Sequence, residues 1–430
     1  VKVLKLFILL MFFGICAKGH ALYLTLDDVL DRLENENLQV LVQREVVVQA
    51  LQYSYIQRAK LLPTVNFQAQ QTKTRNFFTA LGGTPLTSTS RAFYGRVEGT
   101  LSLLDMRRYA DFELARQGHK ISELSYKAVI QEIMNQGALA YYLHLRNLNR
   151  VKVIDANIER DKLLLNLAEH QFKGGIATPL DVTRAEVRLA SDEKERLQQL
   201  TLVRQSELLL VQLLGLEAHE RIETSQGLPE PQKLSSKIYW SPEEAFKMRP
   251  DYLKVEMDFN QSKFDYEASY WDHLPKLSAF GNWGYASVDA FNGKEKEVWM
   301  MGLQLNIPVF EGFAIQSNSI SKKAGMRAQK YTLRDFQNKI KTDFVLNQVD
   351  LLSRFEQIKV AVKQQSLAQK ELDLAQARFE RGLAGNQEVV DAQTNVAEAE
   401  DGLVDSLYQY YVSELEWARN MGDVRMVLDT

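Results

Sequence analysis

The sequence predicts a mainly α protein with a small β part. It reads as a tandem repeat of long α-helical hairpins that also carries four transmembrane-type β-strands. Three observations predict this. Residues 105–173 and 313–381 are proline-free runs of 69 residues each, broken only by Gly118 and Gly137 in the first and Gly325 in the second. Four other segments alternate apolar and polar residues with period two, the pattern of a strand with one face buried. The chain also repeats itself 207 positions on: residues 167–185 read LAEHQFKGGIATPLDVTRA and residues 374–392 read LAQARFERGLAGNQEVVDA.

Taken in order, the N-terminus comes first. Lys2 and Lys5 precede the apolar run 6–15, and small residues lead to Gly19-His20-Ala21. This is the layout of a secretory signal peptide over residues 1–21, with cleavage expected after Ala21. The alternative is a buried N-terminal helix. Cys16 invites a lipoprotein reading, but Ile15 stands where a lipobox wants Gly or Ala. Removing residues 1–21 takes three lysines and no acid, leaving 49 bases, 55 acids and a net charge of −6. That balance carries no basic excess to suggest a nucleic-acid partner. The remainder has no cysteine, so neither disulfides nor thiol chemistry is expected.

Residues 22–227 and 242–430 are expected to be two structural repeats, each a helix, two strands and a long hairpin. The proline-rich stretch 228–241 would be the linker between them. In the first repeat, Val65, Phe67 and Ala69 alternate with Asn66, Gln68 and Gln70, and Phe93, Gly95, Val97, Gly99, Leu101 and Leu103 alternate with Tyr94, Arg96, Glu98, Thr100 and Ser102. In the second, Leu277, Ala279, Gly281, Trp283 and Tyr285 form one strand face, and Trp299, Met301, Leu303, Leu305 and Ile307 another. Such alternation over about ten residues fits strands with one face in lipid and one in water. A sheet in a soluble domain would alternate identically. Two features favour the membrane: polar loops expected at 73–91 and 288–297, and the aromatics Phe77, Phe78, Trp271 and Trp299 near strand ends, as in an interfacial girdle. Four strands cannot close a barrel, and open edges are not tolerated in lipid, so the strands must be pooled across subunits. Arg96 and Glu98 would then face a wet lumen.

Each 69-residue run would make a helix roughly 100 Å long, the length of a coiled coil or helical tube rather than a globular helix. Gly175 and Gly382 are expected to end these helices as C-caps. Second helices start behind Thr178-Pro179, an N-cap followed by proline at the first helical position, and at Asn386. The repeat keeps register beyond the tips: Val182, Leu189, Arg196, Val203 and Leu210 are seven apart, matched by Val389, Val396, Leu403, Tyr410 and Trp417.

No catalytic chemistry emerges. His119, His144, His170, His219 and His273 are scattered without metal-ligand spacing, and there is no phosphate-binding loop, nucleophile elbow or dinucleotide motif. Gly82-Gly83 with its Thr/Ser neighbours suggests only a flexible loop. No cofactor and no metal are expected.

The order of these features resembles the outer-membrane efflux protein family, the TolC-like channel-tunnels. The features are a signal peptide, a tandem repeat, Leu62-Pro63 and Leu274-Pro275 ahead of the first strand of each half, and Phe-x-x-Gly at each hairpin tip. The resemblance implies a homotrimer in the cell outer membrane: a 12-stranded β-barrel continuous with a periplasmic α-barrel. It would be the passive exit duct of a tripartite efflux or type I secretion system. Its partners would be outer-membrane lipid, a periplasmic adaptor (membrane fusion) protein and an inner-membrane pump of RND or ABC type. The resemblance further implies that Glu388 and Asp391 line the periplasmic aperture as an acidic ring, whereas the first-half equivalents, Asp181 and Arg184, do not support a second one. Phe379 and Ala384 stand where the family's polar aperture lock would be, leaving Arg381 or Arg184 as candidate substitutes. Phe172, Gly175, Asp181, Phe379 and Gly382 mark the hairpin tips where an adaptor would dock. The alternative function is a soluble periplasmic coiled-coil tether or adaptor.

Overall fold

The computed structural model describes residues 22–79, 85–175, 177–224, 227, 228, 230, 231, 241–291 and 293–429. The signal-type segment with Cys16, the Gly82-Gly83 pair and residues 229 and 232–240 of the expected linker lie outside the described residues. In chain order the elements are β1 (Leu22–Leu24), α1 (Leu26–Glu36), α2 (Leu38–Ala59), β2 (Thr64–Thr79), β3 (Pro85–Leu104), α3 (Met106–Lys173), α4 (Pro179–Leu213), β4 (Ile222–Thr224), α5 (Pro242–Met248), α6 (Pro250–Ser269), β5 (Lys276–Ser287), β6 (Lys296–Asn306), α7 (Ala314–Glu380) and α8 (Asn386–Met421). Short 3₁₀ segments follow α6 and α8. Helices α3 and α7 run for 68 and 67 residues, within a residue or two of the proline-free runs. No described helix is long and apolar enough to cross a membrane.

The chain divides into two compact units. One comprises residues 44–126 and 251–337 and contains a four-stranded antiparallel sheet in the order β2-β3-β5-β6. The polar stretch 73–91 is not the loop expected: β2 and β3 pair as far as Thr79 and Pro85, so only residues 80–84 separate them. The polarity there was misleading. Thr72, Thr74, Thr79, Thr87 and Thr89 are β-branched and strand-favouring, and a hairpin can extend into water on its ladder hydrogen bonds. Gln71 holds the second connection, donating to the Val288 carbonyl at 3.1 Å and accepting from the Ala290 N–H at 2.9 Å. Trp271 lies in the turn just before β5 and packs against Tyr109 and edge-on against Phe264. Trp299 lies within β6, opposite Trp283. Asp265 on α6 joins the neighbouring helices of this unit, 2.6 Å from Lys322 on α7 and 3.7 Å from Arg107 on α3.

The other unit, residues 1–43, 127–250 and 338–430, carries the two hairpin tips and the paired short strands β1 and β4, which run parallel. Helix α1 begins at a capping box in which Thr25 and Asp28 satisfy each other's backbone N–H. It packs against α3 where Gly137 leaves room: a Cβ there would sit 2.0 Å from Leu33 Cδ1, and Leu33 is fully buried. Glu207 on α4 is buried and accepts from the Ile222 N–H of β4 at 3.0 Å and from Arg221 at 3.1 Å. Helices α3 and α8 are laced by Arg146–Asp405, Arg150–Asp401 and Arg160–Glu400, at 2.6 Å in the first and last pairs.

Candidate channel wall and hairpin tips

The middle of the sheet sorts its side chains by face. Directly opposed residues of antiparallel strands share a face, and Phe67, Val97, Trp283 and Trp299 form one such row across all four strands. The next row on that face is Val65, Gly99, Gly281 and Met301. Phe67, Trp299 and Met301 are 66–75% exposed, so this apolar face has nothing covering it in the protomer. The opposite face carries Gln68, Arg96 and Gly284 in one row and Asn66, Glu98 and Asn282 in the next. It is polar on three strands, and β6 contributes Val298 and Met300. Arg96 and Glu98, the expected lumen residues, lie together on it, Arg96 Nε 2.6 Å from Glu98 Oε1 and Arg96 Nη2 donating to Gln68 at 3.3 Å. Gly284 makes room for this arginine, since a Cβ there would meet Arg96 Cα at 2.5 Å. Among the described residues, strands β2 and β6 have no partner on their outer edges.

The two hairpin tips share a backbone and differ in their side chains. Gly175 and Gly382 take φ of +75° and +70°, the left-handed geometry of a C-cap. Their N–H groups return to the carbonyls of Phe172 and Phe379 at 3.0 and 2.9 Å. At the first tip the Asp181 carboxylate accepts from Thr178 Oγ1 at 2.7 Å and from the Thr178 N–H at 2.9 Å. The bond from the Thr178 hydroxyl, then that from its backbone, holds the Asp181 carboxyl below its ordinary pKa. Asp181 is therefore committed to capping α4. At the second tip Gly385 replaces the threonine and offers no hydroxyl. Glu388 turns instead to Arg378 on α7, 2.9 Å away, and Asp391 accepts from Gln387 at 2.7 Å. Glu388 and Asp391 are both exposed and lie one turn apart, but the first already has a cation beside it.

The aromatic pair diverges more. Phe172 is 45% exposed, whereas Phe379 is 4% exposed, in a cluster with Leu164, Leu372, Ala375, Val389 and Val396. The structure thus turns one expected docking residue, Phe379, into core. The seven-residue rows diverge in the same sense. Val389, Val396, Leu403, Tyr410 and Trp417 are all buried, while Val182, Leu189, Arg196 and Val203 are half-buried and only Leu210 matches its counterpart.

Two tip residues were missed as functional from the sequence. Asn386, read only as a helix start, is buried, and its Nδ2 donates to the Asp181 carbonyl at 2.9 Å, tying one tip to the other. Arg378 stands where the first repeat has Gln171, which reaches the Phe379 carbonyl at 3.4 Å. In both cases the available signal was a break in the duplication: Asn386 replaces Pro179, and Arg378 replaces Gln171. Among the described residues no group of three or more His, Cys, Asp or Glu side chains could hold a metal ion.

Comparison with known proteins agrees with this geometry. The model of the outer membrane efflux protein family matches residues 29–216 and 241–422. The pyoverdine export outer membrane protein OpmQ of Pseudomonas aeruginosa is 24% identical over 407 residues, covering 88% of this chain and 81% of that protein. The outer membrane protein TolC of Vibrio cholerae is 21% identical, over 90% of this chain and 87% of that one. Among solved structures, the outer membrane protein VceC of Vibrio cholerae superposes with a TM-score of 0.82 at 15% identity, covering 93% of this chain and 96% of that one.

Proposed function

This chain belongs to the outer membrane efflux protein family, which makes it an outer-membrane channel protein and not an enzyme, and from that premise we propose that it is the exit duct of a tripartite export system. Three copies would each give β2, β3, β5 and β6 to one twelve-stranded barrel. The hairpins would continue into the periplasm, where an adaptor and an inner-membrane pump engage their tips. The duct is passive, and the pump supplies both energy and choice of cargo.

The observation that carries this reading is the sheet. Among the described residues its strands β2 and β6 are unpaired on their outer edges, and one face carries an uncovered apolar band that Glu297 bounds at one end. Unpaired backbone groups in hydrocarbon cost several kcal/mol each, so such a sheet is stable in lipid only if its edges meet those of other copies. The helices support the same assembly. Val360, Leu367 and Leu374 on α7 are seven apart and exposed, an apolar seam of coiled-coil spacing with no partner in the protomer.

At the tips, three copies of Asp391 and of the Arg378–Glu388 pair would surround the axis. Asp391 would supply the negative field of the aperture, and Arg378 would take the place of the missing polar lock. The test is single-channel conductance of the detergent-purified protein in a planar bilayer, wild type beside Glu388→Ala/Asp391→Ala. Small cation-selective currents that grow and lose selectivity in the variant are expected. A protein that stays soluble without detergent and gives no current would overturn the duct. Currents unchanged by the substitutions would move the constriction elsewhere.

A further inference from the structure

The first hairpin contains a pair of acids that the channel reading does not use. Asp161 on α3 and Asp192 on α4 are 2% and 4% exposed, and the Oδ2 atoms of both face one guanidinium, that of Arg188. Arg188, one turn before Asp192, is the cation between them, with Nη2 3.4 Å from Asp192 Oδ2 and Nε 3.8 Å from Asp161 Oδ2. Neither approach is a hydrogen bond. The Oδ2 atoms of both acids and Nε of Arg188 are buried without a hydrogen-bond partner. The adjacent Arg160 is engaged by Glu400 and Asn157. Asp192 also lines a cavity of about 190 Å³ shared with Asn157 and Arg188, and Glu195 of α4 and Glu398 and Asp401 of α8 line it too. Asp401 is held by Arg150. Two buried carboxylates therefore share one imperfectly placed guanidinium, with Glu195 and Glu398 lining the same cavity.

Two ionised carboxylates cannot bond to each other, because both are acceptors only. One added proton turns the repulsion into an O–H···O bond and leaves a pair of charge −1 that Arg188 balances. We propose that Asp161 and Asp192 are a proton-binding pair that clamps α3 to α4, so that the first hairpin is held more tightly in mildly acidic than in alkaline surroundings. The duplication isolates the device. The positions 207 on are Ala368 and Ala399, both buried in the apolar cluster of the second hairpin, so the helical packing itself does not require the acids.

The sign follows from the shift. Burial, and then the charge of Asp192, push the Asp161 carboxyl up to about 7, with Arg188 and Arg160 opposing. An acid whose folded pKa is raised binds its proton more tightly when folded, so protection falls as pH rises towards 7 and is flat above it. One such proton makes local opening about tenfold rarer at pH 6 than at pH 8.

The test is amide hydrogen exchange of the full-length protein in detergent at pH 6 and pH 8, corrected for intrinsic rates. Peptides covering 155–165 and 185–196 are followed beside 362–372 and 392–403. A roughly tenfold slowing at pH 6, confined to the first hairpin, is expected. Asp161→Ala/Asp192→Ala, which copies the second hairpin, should abolish it. Asp192→Asn, whose amide donates permanently to Asp161, should give slow exchange at both pH values. Wild-type protection that does not change between pH 6 and pH 8 overturns the proposal without any variant. So does a double-alanine protein that keeps the wild-type pH dependence.

Discussion

Phe172 and Phe379 occupy equivalent places in a duplicated motif, and the structure predicts that removing them has unlike consequences. Phe379 is 4% exposed, within a cluster that joins α3, α4, α7 and α8. Cutting a fully buried Phe to Ala costs about 3–5 kcal/mol, the transfer term plus the cavity left behind. Phe172 is 45% exposed and forfeits about half the burial with no enclosed cavity, roughly 1 kcal/mol. The comparison is Phe379→Ala beside Phe172→Ala in the detergent-solubilised full-length protein, followed by hydrogen exchange across 365–399 and 160–185. Phe379→Ala should raise opening at the second tip by about a hundredfold or more, given tenfold per 1.4 kcal/mol. Phe172→Ala should change exchange at its own tip less than tenfold. In bilayers Phe379→Ala should give larger and noisier currents, because the tip that carries Glu388 and Asp391 loses its support. Conversely, adaptor binding should respond to the exposed Phe172. Equal effects at the two tips would refute the reasoning, since they would mean that the burial difference does not govern the energetics.

Three further outcomes are expected. Gly422→Ala should be far more damaging than Gly215→Ala, although the two glycines also lie 207 apart. Gly422 has φ of +97° and a Cβ there would meet Arg249 N at 2.8 Å, whereas Gly215 at +69° has nothing within 4 Å. The costs are about 1–2 kcal/mol of backbone strain for both and about 1–3 more of overlap for Gly422 alone, read as the temperature of half-inactivation. Arg378→Ala should leave stability within about 1 kcal/mol, both side chains of the pair being exposed, yet raise cation selectivity by uncovering Glu388, measured as reversal potential under a salt gradient. Acid should loosen the β4 junction. Burial raises the Glu207 pKa, but bonds from Arg204 and the Ile222 N–H and the charges of Arg204 and Arg221 outweigh it and leave it lowered. Its contribution is thus present above the ordinary carboxyl range and lost as pH falls through the folded value. Glu207→Gln should flatten that acid limb in a proteolysis profile of residues 204–224, the opposite limb from Asp161.

Much of this architecture is visible residue by residue. Proline-free runs and a glycine past the C-terminal end of each placed α3 and α7 to within a residue or two, because proline breaks a helix interior and glycine takes the left-handed cap at its end. Period-two alternation placed Val97 on one face and Arg96 with Glu98 on the other, because the pleat leaves no other choice. It did not find the strand ends at Thr79 and Pro85, since past the apolar band the ladder continues on threonines that polarity alone reads as loop.

The sequence by itself determined the repeat, the helical hairpins and the four strands, because these rest on local periodicity and backbone chemistry. Only the tertiary structure decided which copy of each repeated residue is buried. It made Phe379 core and Phe172 surface, Asp181 a cap and Glu388 the partner of Arg378, and it brought Asp161 and Asp192 to one arginine where the second half has two alanines. The reason is physical: a duplicated sequence dictates duplicated backbone, but burial depends on what packs against it, and each hairpin here has different neighbours.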